Sequence, residues 1–171
     1  MKRFLCSLFL LAYFSVSLQA QFVSARLTII GLTCSACSFG TERSLRQLPF
    51  VEDVKMDLNT NIASVIFKAG IPVSIEQLVQ KVYDAGFSVG QVMAVYHFTT
   101  EILNGNAWQT GPDFYTLLNT APADLKGDKE LTFVAPKYMK KNEYKSYKPQ
   151  VDAVNSLIGE SRSGHRYFVL W

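Results

Sequence analysis

Between Ala25 and His97 the apolar residues switch repeatedly between two periods, and that succession limits the possible folds more than any composition figure does. From Ala25 to Ile30, Leu27 and Ile29 alternate with Arg26 and Thr28, the period of a half-buried strand, which stops at Gly31. A helix is predicted next, with Leu45 and Leu48 inward, Glu42, Arg43, Arg46 and Gln47 toward solvent, and Pro49 as its stop. Val51, Val54, Met56 and Leu58 then lead into Asn59-Thr60-Asn61, after which Ala63, Val65 and Phe67 share one side: a hairpin with a polar turn. Pro72 and Ser74 open a second helix, with Gln77 completing a capping box and Ile75, Leu78, Val79 and Val82 as its buried stripe. Gly86 closes that helix as a left-handed cap, and Phe87 to His97 returns as a strand. Strand, helix, strand, strand, helix, strand is buried most economically by two helices on one face of a four-stranded antiparallel sheet. The expectation for residues 22–95 is therefore an α+β, ferredoxin-like βαββαβ domain.

What precedes this domain reads as a leader. Met1-Lys2-Arg3, the apolar run from Phe4 to Leu18 and the small residue in Gln19-Ala20-Gln21 follow the order of a secretory signal peptide over residues 1–20. Fifteen or so apolar residues fall short of the roughly twenty that span a bilayer, and no later stretch comes close. The expected mature protein is periplasmic or secreted, with no stable membrane insertion after signal cleavage. The formal charge of +3 counts Lys2 and Arg3, so the remainder is close to neutral and gives no case for a nucleic-acid partner. Of three cysteines, Cys6 leaves with the leader, and Cys34 and Cys37 stand alone. A disulfide framework in an exported protein would use cysteines distant in sequence, so these two thiols are placed for each other.

The loop that carries them, Gly31-Leu32-Thr33-Cys34-Ser35-Ala36-Cys37, resembles the Gly-Met-Thr-Cys-x-x-Cys loop of heavy-metal-associated domains, the family of copper chaperones, copper ATPase tails and the periplasmic mercury-binding protein. The similarity continues through Leu45, Leu48, Pro49 and Val51, through Leu58 and Thr60, and to Ala85-Gly86-Phe87. It covers under half of the mature chain. There are departures: Leu32 stands for the usual Met, Phe50 for a turn Gly, and Ser38, Thr41 and Ser44 occupy first-helix positions that the family fills with apolar or small residues. The resemblance implies that Leu32 packs beneath the loop without ligating and that Phe87 screens the metal. It also implies a metal-transporting ATPase or another metal-binding protein as partner.

The chemistry of the pair can be argued independently. At a strand-to-helix junction, unpaired amides and the positive end of the helix dipole favour thiolate over thiol, so Cys34 and Cys37 can both ligate near neutral pH. Soft thiolates select Cu(I) and similar ions, with Hg(II), Zn(II) or Cd(II) as further candidates, and two strong donors suit a low-coordinate site. Structural zinc wants four ligands, and the only imidazoles, His97 and His165, lie outside the motif. A two-ligand site leaves room for a partner's thiolate, which allows relay as well as capture. The same Cys-x-x-Cys spacing serves thiol-disulfide redox proteins, which remains an alternative, as does an interaction module with a vestigial loop. Without a nucleophile elbow, phosphate loop or His-Glu metal motif, the chain is expected not to be an enzyme.

Residues 96–171 have a different texture. Asn104-Gly105, Gly111-Pro112-Asp113, Lys126-Gly127-Asp128 and the Gly159–Gly164 stretch punctuate short runs that predict strands near Val92–Leu103, Phe114–Asn119, Glu130–Val134 and Arg166–Trp171, with a helix from Val151 to Ile158. The expectation is a small β-rich domain of unknown type, compatible with a partly open barrel. Lys137, Lys140, Lys141, Lys145 and Lys148 interleave with Tyr138, Tyr144 and Tyr147, a pattern read as a solvated face with snorkelling lysines, with docking to an acidic partner as the alternative.

Overall fold

The computed structural model describes residues 21–98, 106–120, 126–158 and 164–171. The leader expected over residues 1–20, Cys6 within it and the 99–103 end of the strand expected from Val92 lie outside them. In chain order the elements are β1 (Gln21–Ile30), α1 (Ser35–Arg46), β2 (Val51–Asp57), β3 (Ile62–Phe67), α2 (Ile75–Asp84), β4 (Ser88–Phe98), β5 (Ala107–Thr110), β6 (Asp113–Leu117), β7 (Gly127–Phe133), α3 (Lys141–Ile158) and β8 (Arg166–Leu170). The first six reproduce the expected βαββαβ order, so the α+β, ferredoxin-like reading of the N-terminal half stands.

Local chemistry sets these boundaries. Ser74 caps α2 by accepting the Gln77 amide at 3.2 Å, and Gly86, at φ 87°, ends it. The β2–β3 turn closes with the Asp57 carboxylate accepting the Asn59 amide at 2.9 Å and Asn61 in the left-handed region at φ 54°. Inward positions on β1, β3, β4 and α2, among them Leu27, Ile29, Val65, Val92, Leu78 and Val82, are all but inaccessible to solvent and form the core beneath the helices. Arg46 staples α1 to β2, bonding Glu42, Asp53 at 2.7 Å and the Val54 carbonyl.

The second half adds strands to the same sheet, whose order is β2-β3-β1-β4-β7-β8-β6-β5. Strand β4 pairs with β1 along one edge and, through Met93–Phe98, with β7 along the other. The boundary expected between residues 95 and 96 thus falls inside β4. Among the described residues every strand pairing is antiparallel except β6 with β8.

This part of the sheet is strongly curled. Strands β4 and β5 are four steps apart, which in a flat sheet would be about 19 Å. Yet the ring of Trp108 on β5 lies 5.7 Å from Tyr96 and 5.3 Å from Phe98, both on β4. The strands roll around an aromatic interior of Phe22, Tyr96, Phe98, Trp108, Tyr115, Phe133, Tyr138 and Tyr167, while β2 and β5 remain the two ends of the ladder.

Helix α3 covers the opposite face. Phe168 alternates with Tyr167 and Val169, so it turns away from the aromatic interior, and it joins Val134, Met139 and Val151 in a second cluster that takes in Tyr144, Tyr147 and Val154. The helix begins ten residues before the expected Val151 and continues through Pro149. Residues 135–140 tie the halves together: the Lys137 ammonium and Tyr138 hydroxyl donate to Glu76 of α2 at 2.5 and 2.6 Å, and the Lys140 amide donates to the Gly90 carbonyl at 2.9 Å.

A two-cysteine loop at the head of α1

The candidate site is built by the exit of β1. Gly31, at φ 98°, adopts a conformation that L side chains rarely take and turns the chain toward α1, and a Cβ there would sit 3.5 Å from the Phe87 ring. Leu32 is buried, as its expected packing role requires, and it brings no donor atom. Thr33 and Cys34 return to the surface. Cys34 is itself the N-cap of α1: its backbone is extended, and its Sγ accepts the Cys37 amide at 3.1 Å. Cys37 lies in the first turn of the helix, half-buried.

The spacing puts the two sulfurs together. Their Cα atoms are 5.3 Å apart, and the pair is in the disulfide state. No acidic residue occupies the first turn of α1, and Arg43 and Arg46 lie in its last, so side-chain charge along the helix complements the dipole and leaves its amino end positive. On reduction, that end favours thiolates at both positions. Among the described residues no cluster of three or more His, Cys, Asp or Glu could hold a metal, so the pair is a two-donor site. Such a donor set fits a soft, low-coordinate ion and does not fit a four-ligand structural zinc.

A shallow groove of about 370 Å³ opens beside Cys37, lined by Ala36, Gly40, Thr41 and Ser44 of α1 and by Asp84, Ala85 and Phe87 at the end of α2. Phe87 is half-buried and borders this groove near the cysteines. Phe39 projects outward, 68% exposed, and fills no place in the core.

Sequence reasoning missed what the polar residues of α1 do. Ser38 and Thr41 are buried at core-facing positions. The Ser38 hydroxyl donates to the Cys34 carbonyl at 3.3 Å and the Thr41 hydroxyl to the Cys37 carbonyl at 3.0 Å. The signal was present in the sequence as a hydroxyl residue four positions after each cysteine. The imidazoles lie apart from this site and from each other's partners: His97 Nδ1 is 2.5 Å from Asp128, and His165 Nδ1 is 3.3 Å from Asp113. Glu130 pairs with Arg26.

Residues 26–88 match the family model of the heavy-metal-associated domain. Over those residues the chain is similar to a heavy-metal-associated domain. Among similar proteins is the probable copper-transporting ATPase HMA5 of Arabidopsis thaliana, 31% identical over 64 residues, which are 37% of this chain and 6% of the relative. The chain thus spans only a small part of that relative's length. Similar solved structures include a copper binding domain from HMA7, a P-type ATPase, at 30% identity and TM-score 0.37, covering 39% of this chain and 89% of that one. Another is oxidized MerP from Ralstonia metallidurans CH34, at 29% identity and TM-score 0.35, covering 41% and 96%. No helix among the described residues is long and apolar enough to cross a membrane.

Proposed function

We propose that the protein captures and relays a soft metal ion, most readily Cu(I), through the thiolates of Cys34 and Cys37. The observation that carries this reading is the pairing of two cysteines at the amino end of α1, one as its cap, with no third ligand nearby among the described residues. Their surface position lets an incoming thiolate from a partner enter the coordination sphere before either resident sulfur leaves, so the ion passes by exchange without being released. A metal-transporting ATPase or another metal-binding protein is the matching partner, and the leader at residues 1–20 would place the exchange in the periplasm or outside the cell.

Uptake starts from the dithiol. The Cys34–Cys37 bond must first accept two electrons and two protons from an external dithiol, which leaves as a disulfide; Cu(I) then displaces the thiol protons. The disulfide also supports a second reading, a thiol-disulfide redox protein. A Cu(I) competition titration of the reduced protein against a chromophoric chelator, beside a Cys34→Ser, Cys37→Ser variant, separates the two. One equivalent taken by the wild type alone supports capture, whereas no competition together with turnover of a disulfide substrate replaces it with the redox role.

A further inference from the structure

Helix α1 buries hydroxyls where its partner helix buries hydrocarbon, and both hydroxyls land on the carbonyls of the two cysteines. Thr41 is 0% exposed and Ser38 3%, so both residues are buried. Threonine and serine in helices commonly bond back to the fourth preceding carbonyl, and this slightly disfavours the helix. Leaving apolar contact at two core positions for such bonds would be a poor use of the interior if packing were their only role. Their acceptors are the carbonyls of the two sulfur-bearing residues, the first of which also accepts the Ser38 amide at 3.2 Å. The Thr41 bond is the shorter, and Thr41 also lines the groove beside Cys37.

We propose that Thr41, assisted by Ser38, is a positioning residue for the two-thiol site: its hydroxyl fixes the Cys37 carbonyl at the first turn of α1 and so holds the two sulfurs within reach of one ion. Insofar as it concerns metal, this rests on the reading of Cys34 and Cys37 as ligands. The same restraint acts without metal, because holding two thiols together raises their effective concentration for each other and favours the disulfide over the dithiol.

The test uses the full chain with Thr41→Val, which keeps the shape and removes the hydroxyl, and Thr41→Ser, which keeps the hydroxyl. Two quantities are read: the dithiol-to-disulfide ratio at fixed dithiothreitol redox buffer, and Cu(I) affinity by chelator competition. Thr41→Val is expected to shift the ratio toward dithiol by about three-fold and to weaken Cu(I) by about ten-fold, with Thr41→Ser within about two-fold of wild type in both. Its thermal stability should match or exceed that of the wild type, since valine packs in the same volume without a buried hydroxyl. A Thr41→Val protein with an unchanged thiol equilibrium overturns the proposal and leaves an ordinary helix back-bond. Equal losses in Thr41→Ser and Thr41→Val overturn it too, by assigning the effect to packing. If the wild type takes no Cu(I) while Thr41→Val still shifts the thiol equilibrium, metal capture fails and the positioning role stands.

Discussion

Helices α1 and α2 lie side by side on one sheet and begin in the same way, yet they are buried by different chemistry. Each N-cap side chain accepts the amide three residues on, from an oxygen in Ser74 at 3.2 Å and from a sulfur in Cys34 at 3.1 Å. Beyond the caps, α2 buries Ile75, Leu78, Val79 and Val82, whereas α1 buries Ser38, Thr41 and Leu45. Hydrophobic burial scales with apolar area, so α2 anchors the domain far more strongly than α1 does. The difference teaches that α1 is kept for what its first turn presents, and that neighbouring elements supply the stability it lacks: the Arg46 staple to β2 and the contact with α2.

Four measurements would break or sharpen this contrast, taken on reduced protein. The largest effect is expected from Leu78→Ala, which removes a fully buried side chain and should lower unfolding free energy in urea by about 2–5 kcal/mol. A cost under about 1 kcal/mol would mean that α2 is not the anchor. Ser74→Ala should cost about 1 kcal/mol by leaving the Gln77 amide without its acceptor. Cys34→Ser makes the sharper comparison, because serine is the better cap: stability should hold or rise by about 0.5 kcal/mol while Cu(I) uptake is lost. A Cys34→Ser protein destabilised as much as Ser74→Ala would show that the sulfur is part of the scaffold. The smallest effect concerns the tie from α2 to residues 135–140. Burial raises the Glu76 carboxyl, but hydrogen bonds from Lys137 and Tyr138 outweigh it and hold the group below its usual range. A depressed carboxylate stabilises the fold above its unfolded value of about 4.3 and loses that contribution as pH falls through the folded value. The acid limb of a stability-versus-pH curve should therefore flatten in Glu76→Gln, and an unchanged limb would remove the tie from the account.

How much of this could be read from the sequence differs between the halves for a physical reason. In the N-terminal half, apolar spacing is local: Leu27 and Ile29, Ala63 and Val65, and Leu78 and Val82 declare their period within a few residues, and Ser74 and Gly86 mark the ends of α2. The cysteines were legible because spacing alone brings them to one helix turn. In the second half the decisive contacts are remote. Strand β5 is only Ala107–Thr110, too short to show alternation, and it is held by pairing to β6 and by the rings of Tyr96 and Phe98. The start of α3 was hidden because its buried face, Tyr144, Tyr147, Val151 and Val154, is interleaved with lysines and crossed by Pro149. The parallel pairing of β6 with β8 leaves no local trace at all. Ser38 and Thr41 were visible as departures from the family pattern and stand four positions after each cysteine, but their burial against the core could be found only in three dimensions.

Phe22 belongs by sequence to the first strand of the N-terminal half, yet its ring lies 4.9 Å from Tyr96, 5.7 Å from Tyr115 and 5.9 Å from Phe133, inside the rolled strands of the other half. With β4 also shared between both parts of the sheet, the two halves are expected to unfold together. An ion bound to the native cysteines and not to the unfolded chain adds about 2.7 kcal/mol to the whole at a free concentration one hundred times Kd. Both tryptophans lie in the distal half, and Trp108 is buried against Tyr115 at 5.2 Å. If Cys34 and Cys37 hold an ion as proposed, a thermal melt followed by tryptophan fluorescence should shift with its occupancy.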